Sequence, residues 1–480
     1  MQDIGHRAED AATGPSPAPS GPRRAAFLAL GAACALVPAI AMWGFTVDDA
    51  LIPARYAHHL AAGVGYRFDT NGPSTDGVTP LPWSLLLAPL ATGSSLATLL
   101  RAKVLGVVAW TIAGAALGAR VGVIAAPAVR AWLAAASLVV MALAFAIGAW
   151  AASGMETGLA TALATIAVTR SARPVQVAVL AGLAATLRPE LVVWAVAIAA
   201  GTSLAAPSER RLRDAVVGAA IAFVPFAICA GLRLVFFGRP APLAVLAKPS
   251  DLLHGWVYLG AATLVVLTPL LVCAPLALWR ARGLALAIVV AFLAHALAVA
   301  GAGGDWMPYA RLVVPVAPSL VVAFVELTKS TKPVWSAARL AAAGVLGVLL
   351  AWRAAPAGRS VYADRADLIV RARPALDGAR VVAALDIGWA SAATEARIVD
   401  LAGLTDPSIA LLPGGHTSKR VDVSMLLDRG VDTVIVYSEL RVVEIRLVRS
   451  ELFQARFEET GRLPVGSRGA FYTVYRRRGT

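Results

Sequence analysis

The stretch Ala25 to Asp49, AAFLALGAACALVPAIAMWGFTVDD, decides how the chain is read. Ala25 to Phe45 is apolar and long enough to cross a bilayer. Thr46-Val47-Asp48-Asp49 follows directly, so two adjacent carboxylates sit where the chain leaves the hydrocarbon. Charges at that boundary are tolerated because water is near. Charges kept facing a pocket there are candidates for chemistry on something the membrane delivers. Arg23 and Arg24 before the run also invite a signal-peptide reading. The apolar core is too long for one, no small-residue cleavage site follows, and further apolar runs come later.

The whole chain fits this reading. It has 480 residues, 58% hydrophobic and 15% charged, against about 25% charged in an ordinary soluble domain. Apolar runs recur at 101–120, 131–150, 156–170, 174–187, 190–206, 213–235, 261–279, 283–300, 312–328 and 336–353. With the first, they predict a polytopic α-helical membrane protein of about eleven crossings. If the N-terminus is cytoplasmic, every inner connection is basic: Arg120 with Arg130, Arg170 with Arg173, Arg210 with Arg211 and Arg213, Arg280 with Arg282, and Lys329 with Lys332. The net charge of +14 is thus spread between spans and not gathered in a patch for nucleic acid. Cys34, Cys229 and Cys273 lie inside apolar runs and read as small buried hydrophobes.

Residues 1–22, rich in Ala, Pro, Gly and Ser, read as a disordered cytoplasmic segment. Residues 23–353 read as the membrane domain, with a polar loop at 46–97 after the first span. A helix is expected over 50–62, ended by Gly63 and Gly65, and Trp83 is expected at headgroup depth. Residues 354–480 are on the outer side in this scheme and long enough for a small domain. Val381–Leu385 and Asp432–Tyr437 read as strands and Val423–Arg429 as a short helix, predicting an extracytoplasmic α/β domain. Arg476, Arg477 and Arg478 close the chain and suit anionic headgroups.

The same alternation gathers polar groups on the outer face. Asp48 and Asp49 are the candidates for a catalytic base, since a carboxylate about 3 Å from an acceptor hydroxyl can take its proton. Adjacent residues point in different directions, so one can serve as base while the other orients Arg55 or a metal. A helix cap with a solvated charge is the plain alternative. Arg55 and Tyr56 lie close enough along the helix to orient the pair. Glu156 stands at the mouth of a span. Arg188 and Glu190 bracket Pro189, and Arg188 suits a phosphate through bidentate donation, or else a structural pair with Glu190 or Glu156. Asp305 follows Gly303 and Gly304, and Trp306 beside it reads either as an interfacial anchor or as a platform for a sugar or lipid. Arg311 opens the next run, to snorkel or to hold a phosphate. Lys248 and His254 are weaker binding candidates in the 237–260 loop. In the tail, Gly388-Trp389 and the turn Gly403 to Pro407 are candidate ligand-facing groups. No histidine spacing marks a zinc site. The adjacent carboxylates leave a divalent cation open. The cytoplasmic connections hold no phosphate-binding glycine loop, which argues against a nucleotide-driven pump or a sugar-nucleotide donor.

The segments TVDDALIPARYAHHLAAGVGYRFDTNGPSTDGVTPLPW, SGMETGL, TLRPE and GGDWMPYARLVVP occur in that order. Together they resemble the membrane-embedded GT-C superfamily of glycosyltransferases. Within it, they are similar to the actinobacterial enzymes that add terminal β-arabinofuranose from decaprenyl-phosphate on the outer face. The resemblance covers the membrane part, while the tail matches by place and size. It implies a bacterial plasma-membrane enzyme with a polyprenyl-phosphate-sugar donor and a cell-envelope glycan or glycolipid acceptor. It also implies essential aspartates in the first outer loop, where Asp48 and Asp49 stand, without choosing between them. Glu156, Arg188, Glu190, Asp305 and Arg311 match further polar positions of the pattern. Related enzymes using mannose share the opening motif. Two other readings compete. A transporter or flippase of lipid-linked sugars predicts polar groups at the bilayer midplane. A glycan-binding scaffold predicts no loss of function when Asp48 and Asp49 are replaced.

Overall fold

The computed structural model describes residues 21–125, 131–248, 250–267, 278–467 and 469–479. The expected disordered segment falls outside these residues except for Gly21 and Pro22, which begin the first helix. Arg130, Cys273 and most of the expected 261–279 span also lie outside them.

Among the described residues, five helices are long and apolar enough to cross a membrane: Gly21–Ala41, Ser95–Ile124, Arg211–Phe237, Gly283–Gly301 and the run Pro333–Ala375. The pair Ala131–Ala142 and Phe145–Ala151, bent by 60°, makes a sixth if counted as one span. The remaining apolar runs form shorter helices, among them Thr157–Thr169, Pro174–Leu187 and Pro189–Ala205. The expected count is therefore met only in part, because turns and short 3-10 segments cut several runs below the length a full crossing needs. The chain is a mostly helical protein with the helices of a membrane protein and a small C-terminal sheet.

Small residues let the first helices meet closely. A Cβ at Gly31 would lie 2.2 Å from the Gly114 carbonyl oxygen, and one at Gly118 would lie 2.0 Å from that of Phe27. Backbones can approach this closely only where side chains are absent. Lys103, buried within Ser95–Ile124, donates to the carbonyls of Phe45 (2.6 Å) and Ala152 (2.5 Å). Thr46 Oγ1 donates to Ser153 O at 2.8 Å. These bonds fix the Asp48–Asp49 loop against the Glu156 loop.

After the first span, a 3-10 turn at Asp48–Ala50 leads into the helix Leu51–Ala61, close to the expected 50–62. Gly63 then turns left-handed, with φ of 74°. Trp83 departs from expectation: it is fully buried in the core and not at a headgroup surface, because the helix Leu81–Leu87 packs against Leu51–Ala61.

Pro333–Arg359 continues, after a break at Ser360, into Val361–Ala375. One helical run thus crosses the expected 353/354 boundary and carries the tail on its end. The second part buries Leu368, Ile369 and Ala372 in the tail core. The tail itself is a five-stranded sheet of β1 (Val381–Ala384), β2 (Arg397–Asp400), β3 (Thr433–Tyr437), β4 (Phe457–Val465) and β5 (Ala470–Arg477), in the order β2-β1-β3-β5-β4. β2, β1 and β3 are parallel, while β5 pairs antiparallel with both β3 and β4. β1, β3 and the helix Val423–Asp428 match the expectation, and β2, β4 and β5 are additional.

Candidate active site

The turn at Asp48–Ala50 sends its two carboxylates in different directions. Asp49 faces a small cavity of about 50 Å³, room for a few waters. Glu156, Arg188, Lys248 and Arg311 supply its other charged groups, and Val78, Met155, Ala244 and Leu404 are among its apolar walls. Leu404 comes from the tail. Its loop is held by the buried Asp400 carboxylate, which accepts from the amides of Ala402 (2.9 Å), Gly403 (3.1 Å) and Thr405 (2.7 Å). Burial, countered only in part by these donors, pushes Asp400 up to about 6.

The cavity charges are unequally satisfied. Arg188, 3% exposed, donates from Nε to Glu190 Oε1 at 2.6 Å and from a terminal nitrogen to Glu156 Oε1 at 2.8 Å. Burial works against its charge, but Glu190 and Glu156 outweigh that and hold the guanidinium above its usual range. The structural pairs that competed with a phosphate role for Arg188 are thus both formed. Arg311 pairs with Asp305 at 2.7 Å and lies over the Trp150 ring. Burial opposes ionisation of Asp305, yet Arg311, then Lys248 and Arg188, hold its carboxyl below the usual range. Lys248 Nζ, the Asp49 carboxylate and Glu156 Oε2 have no hydrogen-bond or ion-pair partner among the described residues. A base, a second carboxylate oxygen and a cation therefore remain available at one cavity. Asp49 and Glu156 Oε2 are the oxygens a divalent cation would meet there. Among the described residues, no three His, Cys, Asp or Glu side chains gather as a metal-ligating group.

Asp48 does not line this cavity. Its carboxylate accepts from the amides of Gly388 (2.8 Å) and Trp389 (3.0 Å), at the start of the tail helix Ile387–Ala393, with Arg365 Nε 3.9 Å away. Both oxygens are occupied by backbone donors, whereas Asp49 is the carboxylate of the pair that lines the cavity. Burial, opposed by Arg365, pushes Asp48 up to about 6, with Asp386 and Asp49 adding to the rise. The amides of Gly388 and Trp389, expected to face a ligand, instead hold this carboxylate, and the Trp389 ring is core.

Arg55 is a second anchor for the tail. It donates to the carbonyls of Phe68 (2.7 Å), Ser391 (2.7 Å) and Ala396 (3.3 Å), and pairs with Asp69 at 3.4 Å. It does not orient Asp49, and it binds no group of the cavity. Tyr56 is fully buried, and its hydroxyl bonds Thr75 Oγ1 (2.8 Å) and accepts from the Gly77 amide (3.2 Å). It supports the wall at 77–80 from behind.

Two larger spaces adjoin the cavity at Lys248. One, of about 660 Å³, is largely apolar, with Phe226, Ala230, Pro240, Ala241 and Val245 on its walls. Arg188, Glu190, Lys248, Asp305 and Arg311 stand at its polar end. The other, of about 650 Å³, has Lys248, His254 and Trp306 on one side and the tail segment 415–418 on the other. The structure thus brings Asp49, Glu156, Arg188, Lys248 and Arg311 to one cavity, with Glu190 and Asp305 behind the arginines. It sets His254 and Trp306 in the neighbouring space and turns Asp48, Arg55 and Tyr56 to other tasks.

Several supporting residues were missed. Asp76 and Arg233 form a buried pair at 2.6 Å, and Arg233 also donates to Thr79 O, joining the cavity wall to the helix Arg211–Phe237. His295 bridges Glu190 O (3.2 Å) and Leu312 O (2.8 Å), tying the two arginine loops together. The signal for Lys103, Arg233 and His295 was present: each is an ionisable residue within an apolar run, which needs a partner there. Tyr309 and Ala310 carry left-handed backbone, with φ of 58° and 51°. Strain of this kind in non-glycine residues concentrates at functional loops, and composition does not reveal it.

A family model described as a domain of unknown function, DUF8728, matches residues 365–475. That range is the tail, from within Val361–Ala375 through most of β5. No curated protein and no solved structure matches the chain.

Proposed function

We propose that the chain is a GT-C-type membrane glycosyltransferase that moves a sugar from a polyprenyl-phosphate donor to a cell-envelope hydroxyl. The observation that carries this reading is the continuity between the charged cavity and the apolar groove, which share Thr79, Arg188, Ala244, Lys248 and Arg311. A lipid chain needs an apolar path from the bilayer, its phosphate needs cations at the end of that path, and an acceptor hydroxyl needs a base beside them. Exposed Val224, Ile228 and Val235 on the helix Arg211–Phe237 suit contact with lipid.

In this mechanism Asp49 takes the proton of the acceptor hydroxyl. The acceptor oxygen bonds the anomeric carbon as the bond from that carbon to the phosphate oxygen breaks. The phosphate leaves with added negative charge. Lys248 meets that charge directly, and Arg188 and Arg311, neutralised by their own carboxylates, contribute less. Cations held where charge develops favour the transition state. Asp48 seats the tail, which brings Leu404 over the cavity.

The finer reading follows from the resemblance and the charge pattern. Five shorter apolar helices, Thr157–Thr169, Pro174–Leu187, Pro189–Ala205, Leu252–Val266 and Val314–Thr328, act as thinned or partial crossings beside the long ones, giving about eleven. The N-terminus is cytoplasmic and the tail extracytoplasmic, at a bacterial plasma membrane. Arabinofuranose is the preferred sugar and mannose the alternative. Purified chain, given synthetic polyprenyl-phosphate arabinofuranose or the mannose analogue with a cell-envelope oligosaccharide, should transfer one of them. Transfer of neither, by folded protein with the donor bound, contradicts the reading.

A further inference from the structure

The space of about 650 Å³ beside the cavity has a construction the transfer mechanism does not use. Trp306 is 65% exposed, yet its ring is fixed in place. It stacks on the His254 imidazole, with centroids 4.0 Å apart and planes 18° from parallel. His254 Nδ1 is in turn bonded to Gly303 O at 2.7 Å, and the Trp306 amide donates to Asp305 Oδ1 at 2.9 Å. Beside it, His416 of the tail stands with its ring centroid 5.8 Å from that of Trp306 and its plane tilted by 55°. Ser250, Asp251, Thr417 and Ser418 add small polar groups to the walls.

An exposed, immobilised indole rimmed by hydroxyl, carboxylate and imidazole groups is suited to the apolar face of a sugar ring and its surrounding hydroxyls. A flat aromatic surface gains contact area at low entropic cost when it is already held. Burial, and then the charge of Lys248, push His416 down to about 4, so this wall presents a neutral imidazole near pH 7. His416 thus adds no charge of its own to walls whose charged side chains are Lys248 and Asp251. Lys248 borders both this space and the Asp49 cavity, so the two spaces are neighbours and a chain lying across Trp306 can extend toward Asp49.

We propose that Trp306, His254 and His416 form a subsite for an oligosaccharide, gripping the acceptor glycan one or more sugars away from the hydroxyl that reacts. The assignment of this saccharide as acceptor rests on the function proposed above, whereas its binding does not. Calorimetry on the full chain in detergent, titrated with an arabinofuranose hexasaccharide and with mannohexaose, tests it. One of the two should bind. Trp306→Ala should weaken that binding about tenfold and Trp306→Phe much less, since a ring is retained. His416→Ala should weaken it by a smaller factor, and thermal midpoints should show that all variants remain folded. Failure of both saccharides to bind, or equal binding by folded Trp306→Ala, overturns the subsite even if sugar transfer is observed. Trp306-dependent binding without transfer from any polyprenyl-phosphate sugar removes the enzyme reading and leaves the subsite standing. A Trp306→Ala variant altered only in its partition into lipid vesicles makes Trp306 a membrane anchor and also overturns the proposal.

Discussion

Gly388→Ala probes how the tail is joined to the first loop. A Cβ at Gly388 would lie 2.0 Å from the Asp48 carbonyl oxygen and 2.7 Å from its Oδ2. Ordinary contact begins near 3.4 Å, so the helix Ile387–Ala393 or the turn at Asp48 must move by more than 1 Å. Overpacking of this kind costs about 1–3 kcal/mol. Alanine returns about 0.5–1 kcal/mol of that through its better helix propensity. The net loss, about 1 kcal/mol at the centre of a range of roughly 0–2.5 kcal/mol, lowers the ratio of docked to undocked tail several-fold. Hydrogen exchange on protein in detergent reads this directly. Amides of Gly388 and Trp389, and those of Ala402, Gly403 and Thr405 under Leu404, should lose protection while β3 keeps it. Sugar transfer should fall with them. Unchanged protection in both segments would refute the idea that Asp48 seats the tail.

Lys248→Gln removes the unpaired cavity cation and should weaken donor binding about tenfold or more. Equal donor affinity in the variant, measured by calorimetry, places the phosphate elsewhere. The pH dependence of stability tests the burial of Asp48. Its native pKa of about 6 lies above the usual 3.8, so the folded chain holds this proton more firmly than the unfolded chain. The resulting stabilisation is full below the unfolded value and is lost as pH rises through about 6. The thermal midpoint of wild type relative to Asp48→Asn should therefore decline between about pH 4 and about pH 7, and a flat difference contradicts it. Topology is tested by labelling intact cells after Cys34, Cys229 and Cys273 are replaced. Cysteine at Glu439 should label and cysteine at Glu209 should not, and the reverse pattern overturns the orientation.

The opening turn was readable because an apolar run of spanning length ends in two charges, a sharp change that local composition displays. That adjacent carboxylates would diverge also followed from geometry. Which of them faces the cavity depended on Gly388 and Trp389, more than 300 residues away, and no local pattern holds that information. The pairing of Arg188 with Glu190 and Glu156 was foreseeable as an alternative, since all three stand at the ends of neighbouring helices. β3 was legible as a continuous apolar run because it is central and covered on both faces. β4, at the sheet edge, carries Glu458, Glu459 and Arg462 and a bulge between Glu459 and Gly461, which hide its alternation. The place of Arg55 was hidden because most of its partners are carbonyls, which have no signature in the side-chain sequence.

Asp49, and not Asp48, is the base in the proposed mechanism. Turnover of purified Asp49→Asn and Asp48→Asn, with polyprenyl-phosphate arabinofuranose and its mannose analogue, tests it most directly. Asparagine keeps the size of aspartate but cannot accept the proton near neutral pH. Asp49→Asn should lose about 10²–10⁴-fold in rate with donor binding retained. Asp48→Asn should lose far less, through a loosened tail. Near wild-type turnover in Asp49→Asn, or a loss confined to Asp48→Asn, would rule out Asp49 as the base.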